Sequence, residues 1–484
     1  MARSNHPFTS ANLYLFSTCF HILLLLQYFP GKAVSESIVR YLPGFGLLPF
    51  ELETGYVSVD DTNGVELFYY FIKSENDPIK DPLIFRFAGG PGCSGLTTMM
   101  IQFVHILFCL LGPLAFRKVE YNGSLPTLVL RPDSWTKVSN IVFLDAPVGT
   151  GFSYSRSLQG SPGSDTNSAK HSHTFIRRWL VGHPEFLSNP LYLAGDSYSG
   201  MVVPLIVQEI SDGIEAGDKP LINLKGYLLG NPVTDRNLEM NSLIPFSYGM
   251  GILSLELFES AKQHCGGDYI NVDPSNVQCK KDLEAVTECI EGLESEYILD
   301  RKCPRIDEKQ KEIISDRRLL RENTSNIIGS PPSDPRLRCR KYDHLLLYYW
   351  TNDDRVQTAL NVRKGIIHDW IRCNRNLDYL PDVEISTGYH LYLSKKRYRS
   401  LIFSGDHDMV VPFMSTQAWI KSLKLLICDE WRPWFVDGQV AGYTRTYSSN
   451  MTYATIKGAG HIASVYKPKE CLTMLKRWLA YEPL

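Results

Sequence analysis

Three residues whose side chains suit acyl transfer occur in the order serine, aspartate, histidine along a chain of 484 residues. Ser197 lies in Gly195-Asp196-Ser197-Tyr198-Ser199-Gly200, between the apolar run Leu191-Tyr192-Leu193 and Met201-Val202-Val203-Pro204-Leu205-Ile206. A serine on a strand-to-helix turn is held out of the sheet, where a base reaches its hydroxyl and the following backbone N–H faces an oxyanion. Gly195, Ser199 and Gly200 are small enough to let the turn close, but Ser199 occupies the second glycine position of the usual G-x-S-x-G, so the segment also reads as an ordinary polar turn. Further along, the apolar run Leu401-Ile402-Phe403 enters Ser404-Gly405-Asp406-His407-Asp408. An acid at the carboxyl end of a late strand can hold a histidine in the correct tautomer, and Asp406 and Asp408 both qualify, each with a loop cap as its bland reading. His461 closes Ile456-Lys457-Gly458-Ala459-Gly460-His461, a glycine-rich loop with room to reach the serine. One histidine among twelve says little alone; serine, acid and histidine each following a strand say much more.

The elements that must position these residues are legible as short apolar runs rich in β-branched and aromatic side chains. They are Leu67–Ile72, Leu83–Phe87, Ile141–Leu144, Leu191–Leu193, Tyr227–Leu229, Ser400–Phe403 and Thr452–Ile456. Between two of them, Ser168–Val181 places Phe175, Ile176, Trp179 and Leu180 on one helical face, and Gly182 and Pro184 end it. Alternating strands and helices predict an α/β fold with a mostly parallel central sheet, and the order Ser, Asp, His is that of α/β-hydrolases. Between about Arg236 and Arg338 cysteines and charge replace buried strands, which predicts an inserted, disulfide-containing cap at 236–338. The core is then split into 36–235 and 339–484. Within the cap, 305–338 is polar and ends in Pro331-Pro332 and Asp334-Pro335, an exposed linker and a candidate site for clipping into two chains.

A formal net charge of −2 with 21% charged residues offers no phosphate-seeking surface, so nucleic acid is not an expected partner. Arg3, the apolar stretch Leu13–Phe29 and the small residues Ala33 and Ser35 read as a signal peptide over 1–35. Ser17, Thr18, Cys19, His21 and Gln27 break that stretch below the roughly 20 apolar residues of a membrane span, so no stable anchor is expected. Asn122, Asn323 and Asn450 head N-x-S/T triplets and are glycosylation candidates in the secretory pathway, extracellular or vacuolar. The eleven cysteines fit an oxidising compartment, and the absence of Cys-x-x-Cys pairs disfavours zinc; neither metal nor cofactor is expected.

Gly89-Gly90-Pro91-Gly92-Cys93-Ser94, joined to the serine turn, the Asp406–Asp408 loop and the His461 loop, resembles the plant serine carboxypeptidase-like family from about Tyr41 onward. Asp145-Ala146-Pro147-Val148-Gly149-Thr150-Gly151-Phe152-Ser153-Tyr154 and Gly230-Asn231-Pro232 support the resemblance. It implies Ser197 as nucleophile, His461 as general base and acid, and Asp408, in the family's D-x-x-V-P context, as the orienting acid. The N–H groups of Gly90 and Tyr198 would form the oxyanion hole, with Gly89 and Asp196 contacting substrate. It also implies the disulfides Cys93–Cys339, Cys265–Cys279 and Cys289–Cys303, leaving Cys373 without a partner.

Carboxypeptidases of the family recognise the peptide carboxylate with an asparagine and two glutamates, at positions that read Ala88, Asp196 and Leu110 here. Two of the three cannot hydrogen-bond through their side chains, and a buried carboxylate without partners costs several kcal/mol. The Gly-Asp-Ser-Tyr-Ser-Gly elbow, Trp431-Arg432-Pro433-Trp434 and Gly442-Tyr443-Thr444 resemble the acyltransferase branch, which uses 1-O-acyl glucose esters. The expected partners are therefore an acyl-glucose donor, with a hydroxycinnamoyl or benzoyl group, and an acyl acceptor. The alternatives are a carboxypeptidase and a catalytically impaired binding protein on the same fold. Two departures from the family pattern adjoin the oxyanion turn: an apolar segment, Leu96–Leu111, and Arg86 among apolar neighbours.

Overall fold

The computed structural model describes residues 37–100, 111–303 and 340–484, apart from positions 118, 120 and 368. The expected signal peptide and linker, Leu110, Asn323 and Cys339 lie outside the described residues, as does most of the apolar segment after Leu96. One large sheet organises the chain. Its long strands are β1 (Ser37–Leu42), β2 (Gly46–Asp60), β3 (Val65–Ile72), β4 (Leu83–Phe87), β5 (Asn140–Leu144), β6 (Leu191–Asp196), β7 (Leu224–Gly230), β8 (Arg399–Gly405), β9 (Ile427–Val436), β10 (Gln439–Tyr447) and β11 (Met451–Ile456). Across the sheet they run β1-β2-β3-β5-β4-β6-β7-β8-β11-β10-β9. The six central strands from β5 to β11 are parallel to one another, and antiparallel strands flank them on both sides.

Each expected strand exists, and several extend by one to three residues, because backbone pairing continues past the apolar stretch that announces it. The flanking hairpins β1–β2 and β9–β10 leave no such mark in the sequence: polar and charged residues interrupt their apolar ones, and β9 is largely exposed, so no continuous apolar run announces them.

Along the parallel strands consecutive residues face opposite layers. Ile84, Tyr192, Leu228 and Leu401 join one buried cluster, with Trp350, Met474 and Trp478, while Phe85, Leu193, Leu229 and Ile402 join another, with Phe175, Trp179 and Ile206. Helices α1 (Asp165–Gly182) and α2 (Ser199–Glu215) cover the second face. Burial on both faces is why these strands are apolar throughout. The loops that leave the carboxyl ends of β4, β6, β7, β8 and β11 meet along one edge of the sheet, where ligands bind in open α/β folds.

Between Arg236 and Cys303 the chain carries helices joined by turns and no strand. Helices α3 (Leu255–Cys265) and α4 (Val277–Glu291) are stapled by Cys265–Cys279, with Cα atoms 5.0 Å apart. His264 and Ser260 both reach Asp282, tying the two helices together a second time. Among the described residues no helix is long and apolar enough to cross a membrane.

Candidate active site

Strand β6 ends at Asp196 and α2 begins at Ser199, so the turn between them consists of Ser197 and Tyr198. Ser197 has φ 58°, a left-handed conformation that typically costs a non-glycine residue about 1–3 kcal/mol. Three backbone hydrogen bonds hold it there: Ser197 N–H donates to Gly230 O (3.0 Å), and Ser197 O accepts from Gly200 and Val233 (both 2.9 Å). Glycine is required on either side, since a Cβ at Gly195 would fall 2.3 Å from Ser199 Cβ and one at Gly200 would fall 2.4 Å from Val233 O. The serine at the second glycine position of the elbow is used: Ser199 Oγ donates to Ala88 O at 3.0 Å, fastening the elbow to the turn that follows β4.

Asp408, fully buried after β8, accepts from His461 Nδ1 through Oδ2 at 2.7 Å. A carboxylate only accepts, so the proton sits on Nδ1 and leaves Nε2 as the free base. Asp406 is turned elsewhere, accepting from Gly458 N–H at 2.7 Å and facing the Nδ1 of His407 at 2.6 Å. The remaining capacity of Asp408 is met by Asn231 Nδ2 (2.7 Å) and Val410 N–H (2.7 Å), and Asn231 Oδ1 accepts from Gly405 N–H at 3.1 Å. In the sequence Asn231 is marked only by Gly230-Asn231-Pro232; its position at the end of β7, next to the strand that delivers Asp408, is the available signal. The cap also enters the site through its backbone. Met409 and His461 donate to Ser295 O and Glu296 O, and Ile298 donates to His407 O, at 3.0, 2.7 and 3.2 Å.

The turn after β4 lies directly over Ser197. A Cβ at Gly89 would stand 2.8 Å from that of Ser197, and Gly90 has φ +124°, so side chains are excluded from both. Among the described residues the N–H groups of Gly90 and Tyr198 have no acceptor, leaving two donors beside the serine. Buried Asp145 anchors the next residues, accepting from Ser94 Oγ (2.5 Å), Gly95 N–H (2.8 Å) and Phe152 N–H (3.0 Å). Its burial pushes its carboxyl up to about 6, against the pull of those donors.

The disulfide expectations require two corrections. Cys93 is bonded to Cys373, not Cys339. Ser94 N–H donates to Arg372 O and Asn374 N–H to Gly92 O, both at 2.9 Å, so the two cysteines oppose each other in an antiparallel bridge. Cys289 is exposed and unbonded, while Cys303 is disulfide-bonded to a residue outside those described. The expected Cys289–Cys303 link is therefore absent. Of the glycosylation candidates, Asn122 and Asn450 are exposed.

Ser197, His461, Gly89 and Gly90 line one cavity of about 580 Å³, with Ala88, Leu377, Tyr379 and Val465 among its walls and Arg372 and Arg375 at its polar side. That volume accommodates a small organic ester. Asp196 is absent from the lining. Arg86 stands opposite Ala194 in the β4–β6 register, so it shares a face with Asp196, and the two side chains form an ion pair with only 2% and 3% of each residue exposed. Arg86 also donates to Phe87 O, and burial lowers its guanidinium to about 9. The arginine that looked misplaced in the sequence is thus the counter-ion of the acid preceding Ser197.

Residues 43–481 match the peptidase S10 family model, described as serine carboxypeptidase. Among curated relatives, serine carboxypeptidase-like 17 of Arabidopsis thaliana is 48% identical over 466 residues, covering 96% of this chain and 97% of that protein. Serine carboxypeptidase-like 19 of the same plant is 48% identical over 470 residues, covering 96% and 98%. Among solved structures, a prohormone-processing carboxypeptidase from Saccharomyces cerevisiae, Kex1Δp, superposes with a TM-score of 0.70 at 19% identity, covering 92% of this chain and 95% of that one. At that identity the likeness shows the shared fold.

Proposed function

We propose that this chain, which belongs to the peptidase S10 family of serine carboxypeptidases, moves an acyl group from a glucose ester to an acceptor through an acyl-enzyme on Ser197. Family and fold make it an enzyme of serine-nucleophile type. The finer reading rests on one observation: of the positions from which the family's carboxypeptidases would recognise a carboxylate, the two among the described residues do not offer hydrogen-bonding side chains to the cavity. Ala88 presents a methyl group, and Asp196 is withdrawn into its ion pair with Arg86.

In the proposed reaction His461 Nε2 takes the proton of Ser197 Oγ as that oxygen attacks the ester carbonyl. The resulting oxyanion accepts from the N–H groups of Gly90 and Tyr198, each such donor being worth about 10²- to 10³-fold in rate. The C–O bond to glucose then breaks, with His461 returning the proton to the departing oxygen. An acceptor hydroxyl, deprotonated by the same imidazole, attacks the acyl-serine and restores the enzyme. Asp408 keeps the imidazole oriented and balances its charge when protonated.

A second reading, release of C-terminal residues from peptides, is favoured by Arg372 and Arg375, which line the same cavity and are of a type that suits a carboxylate. The N-terminal apolar stretch and the exposed Asn122 and Asn450 support passage through the secretory pathway. Purified protein given acyl-glucose donors with an acceptor panel, and separately a blocked dipeptide, distinguishes the two. Acyl transfer that disappears in Ser197→Ala supports the proposal. Dipeptide cleavage without transfer refutes it in favour of the peptidase.

A further inference from the structure

Asp165 opens helix α1 and is fully buried, yet it belongs to none of the groups assigned above. Its Oδ1 accepts from the hydroxyls of Tyr198 and Tyr379, both at 2.8 Å, and its Oδ2 accepts from Val383 N–H at 3.1 Å. These partners come from two segments distant along the chain, the turn that carries Ser197 and a wall of the cavity. Tyr198 follows the nucleophile and carries one of the two oxyanion-side amides. Tyr379 belongs to the wall segment 372–381, which also supplies Arg372, Asn374, Leu377 and Pro381 to the lining.

That wall is fastened at its other end as well. Cys373 is bonded to Cys93 of the oxyanion turn, and Asn374 Nδ2 donates to Gly149 O at 3.0 Å. Near Asp165, Tyr379–Leu380 pairs as a short strand with Gly163–Ser164, and the rings of Tyr198 and Tyr379 meet edge to face at 6.3 Å. A carboxylate in the first helical turn is favoured by the helix dipole, and hydrogen bonds to an ionised acceptor are about twice as strong as neutral ones. Burial, with the Asp165 charge added, raises both phenols well above their ordinary range, so both remain donors.

We propose that Asp165 is a positioning residue that couples the nucleophile elbow to the cavity wall. Through Tyr198 it holds the oxyanion-side amide, and through Tyr379 it sets how far the wall stands from Ser197 and therefore which acyl groups fit. The inference rests on the Ser197 reading but not on the choice between acyl transfer and peptide cleavage.

Replacing Asp165 itself would orphan three donors, one buried and two half-buried, and risks misfolding, so the test uses Tyr198→Phe and Tyr379→Phe, which remove one hydroxyl each and keep the ring. Both are assayed with p-nitrophenyl esters of increasing acyl size, alongside thermal unfolding. Tyr198→Phe is expected to lower kcat about tenfold for every ester, the usual scale for losing a charge-assisted hydrogen bond. Tyr379→Phe is expected to raise KM by a factor that changes with acyl size. A fall in Tm with kcat and KM both within about twofold of wild type across the series would overturn the inference and leave Asp165 a structural anchor. Ester turnover that survives Ser197→Ala would instead refute the Ser197 reading, and the inference with it.

Discussion

Asn231 offers a stringent test of how the site is held. Its side chain donates to Asp408 at 2.7 Å and accepts from Gly405 N–H at 3.1 Å, and it is fully buried. Asn231→Ala removes a hydrogen bond to a charged group, about 1.5–3 kcal/mol, and leaves a buried N–H unsatisfied, about 1–3 kcal/mol more. The expected loss is about 2.5–6 kcal/mol, a large part of the 5–15 kcal/mol that typically separates folded from unfolded states. Activity should fall about 10- to 100-fold in the protein that remains folded, because Asp408 keeps only Val410 and His461 to fix its orientation. Asn231→Asp discriminates further. It places a second carboxylate against Asp408 in a buried site, so at pH 7 it should be less stable than the alanine variant. At acid pH a shared proton relieves the repulsion and stability should recover. Denaturant unfolding across pH, with ester turnover normalised to folded protein, reads both effects. An aspartate variant as stable as wild type at pH 7, or an alanine variant within twofold in activity, would refute the account of Asn231 as the support of Asp408.

Three further outcomes follow from the geometry. Gly460→Ala would bring a Cβ within 2.3 Å of Glu296 O and 2.8 Å of Tyr297 Cβ; it should push His461 away from the cap backbone, costing about 1–3 kcal/mol in unfolding assays and most of the turnover. Arg86→Leu should cost about 3–5 kcal/mol by leaving the Asp196 charge buried and unpaired, and Arg86→Leu combined with Asp196→Asn should recover much of it, measured by chemical denaturation. Burial raises the Glu239 carboxyl to about 7 and Asp145 to about 6. A raised carboxyl binds its proton more tightly folded than unfolded, so this stabilisation is complete at low pH and is lost as pH rises through about 4 to 7. Glu239→Gln should flatten the fall by up to about 3 kcal/mol between pH 4.5 and 7.5, and an unchanged slope would contradict it.

Strands β4, β5, β6, β7, β8 and β11 were legible because strands buried on both faces are written as unbroken apolar runs, and burial is a local property of composition. Ser197, Asp408 and His461 stand out as candidates for a related reason. Each sits where such a run stops, and glycines beside Ser197 and His461 mark tight backbone that few other residues permit. The hairpins at the sheet edges, whose apolar residues are interrupted by polar ones, left no comparable trace.

Partners were another matter. Cys93 and Cys373 are separated by 280 positions, and their pairing follows from a loop laid across the turn after β4, which no spacing announces. Arg86 meets Asp196 because β4 and β6 are adjacent in a register that aligns Arg86 with Ala194. Asn231 meets Asp408 because β7 and β8 are neighbours, and Asp165 meets Tyr198 and Tyr379 because a helix N-terminus points between an elbow and a wall. Residue types and their local order therefore carry the chemistry this chain can attempt. Which charge is neutralised, which acid faces the histidine and how the cavity wall is held depend on register and packing among segments distant along the chain, since a side chain's energy is set by what surrounds it after folding.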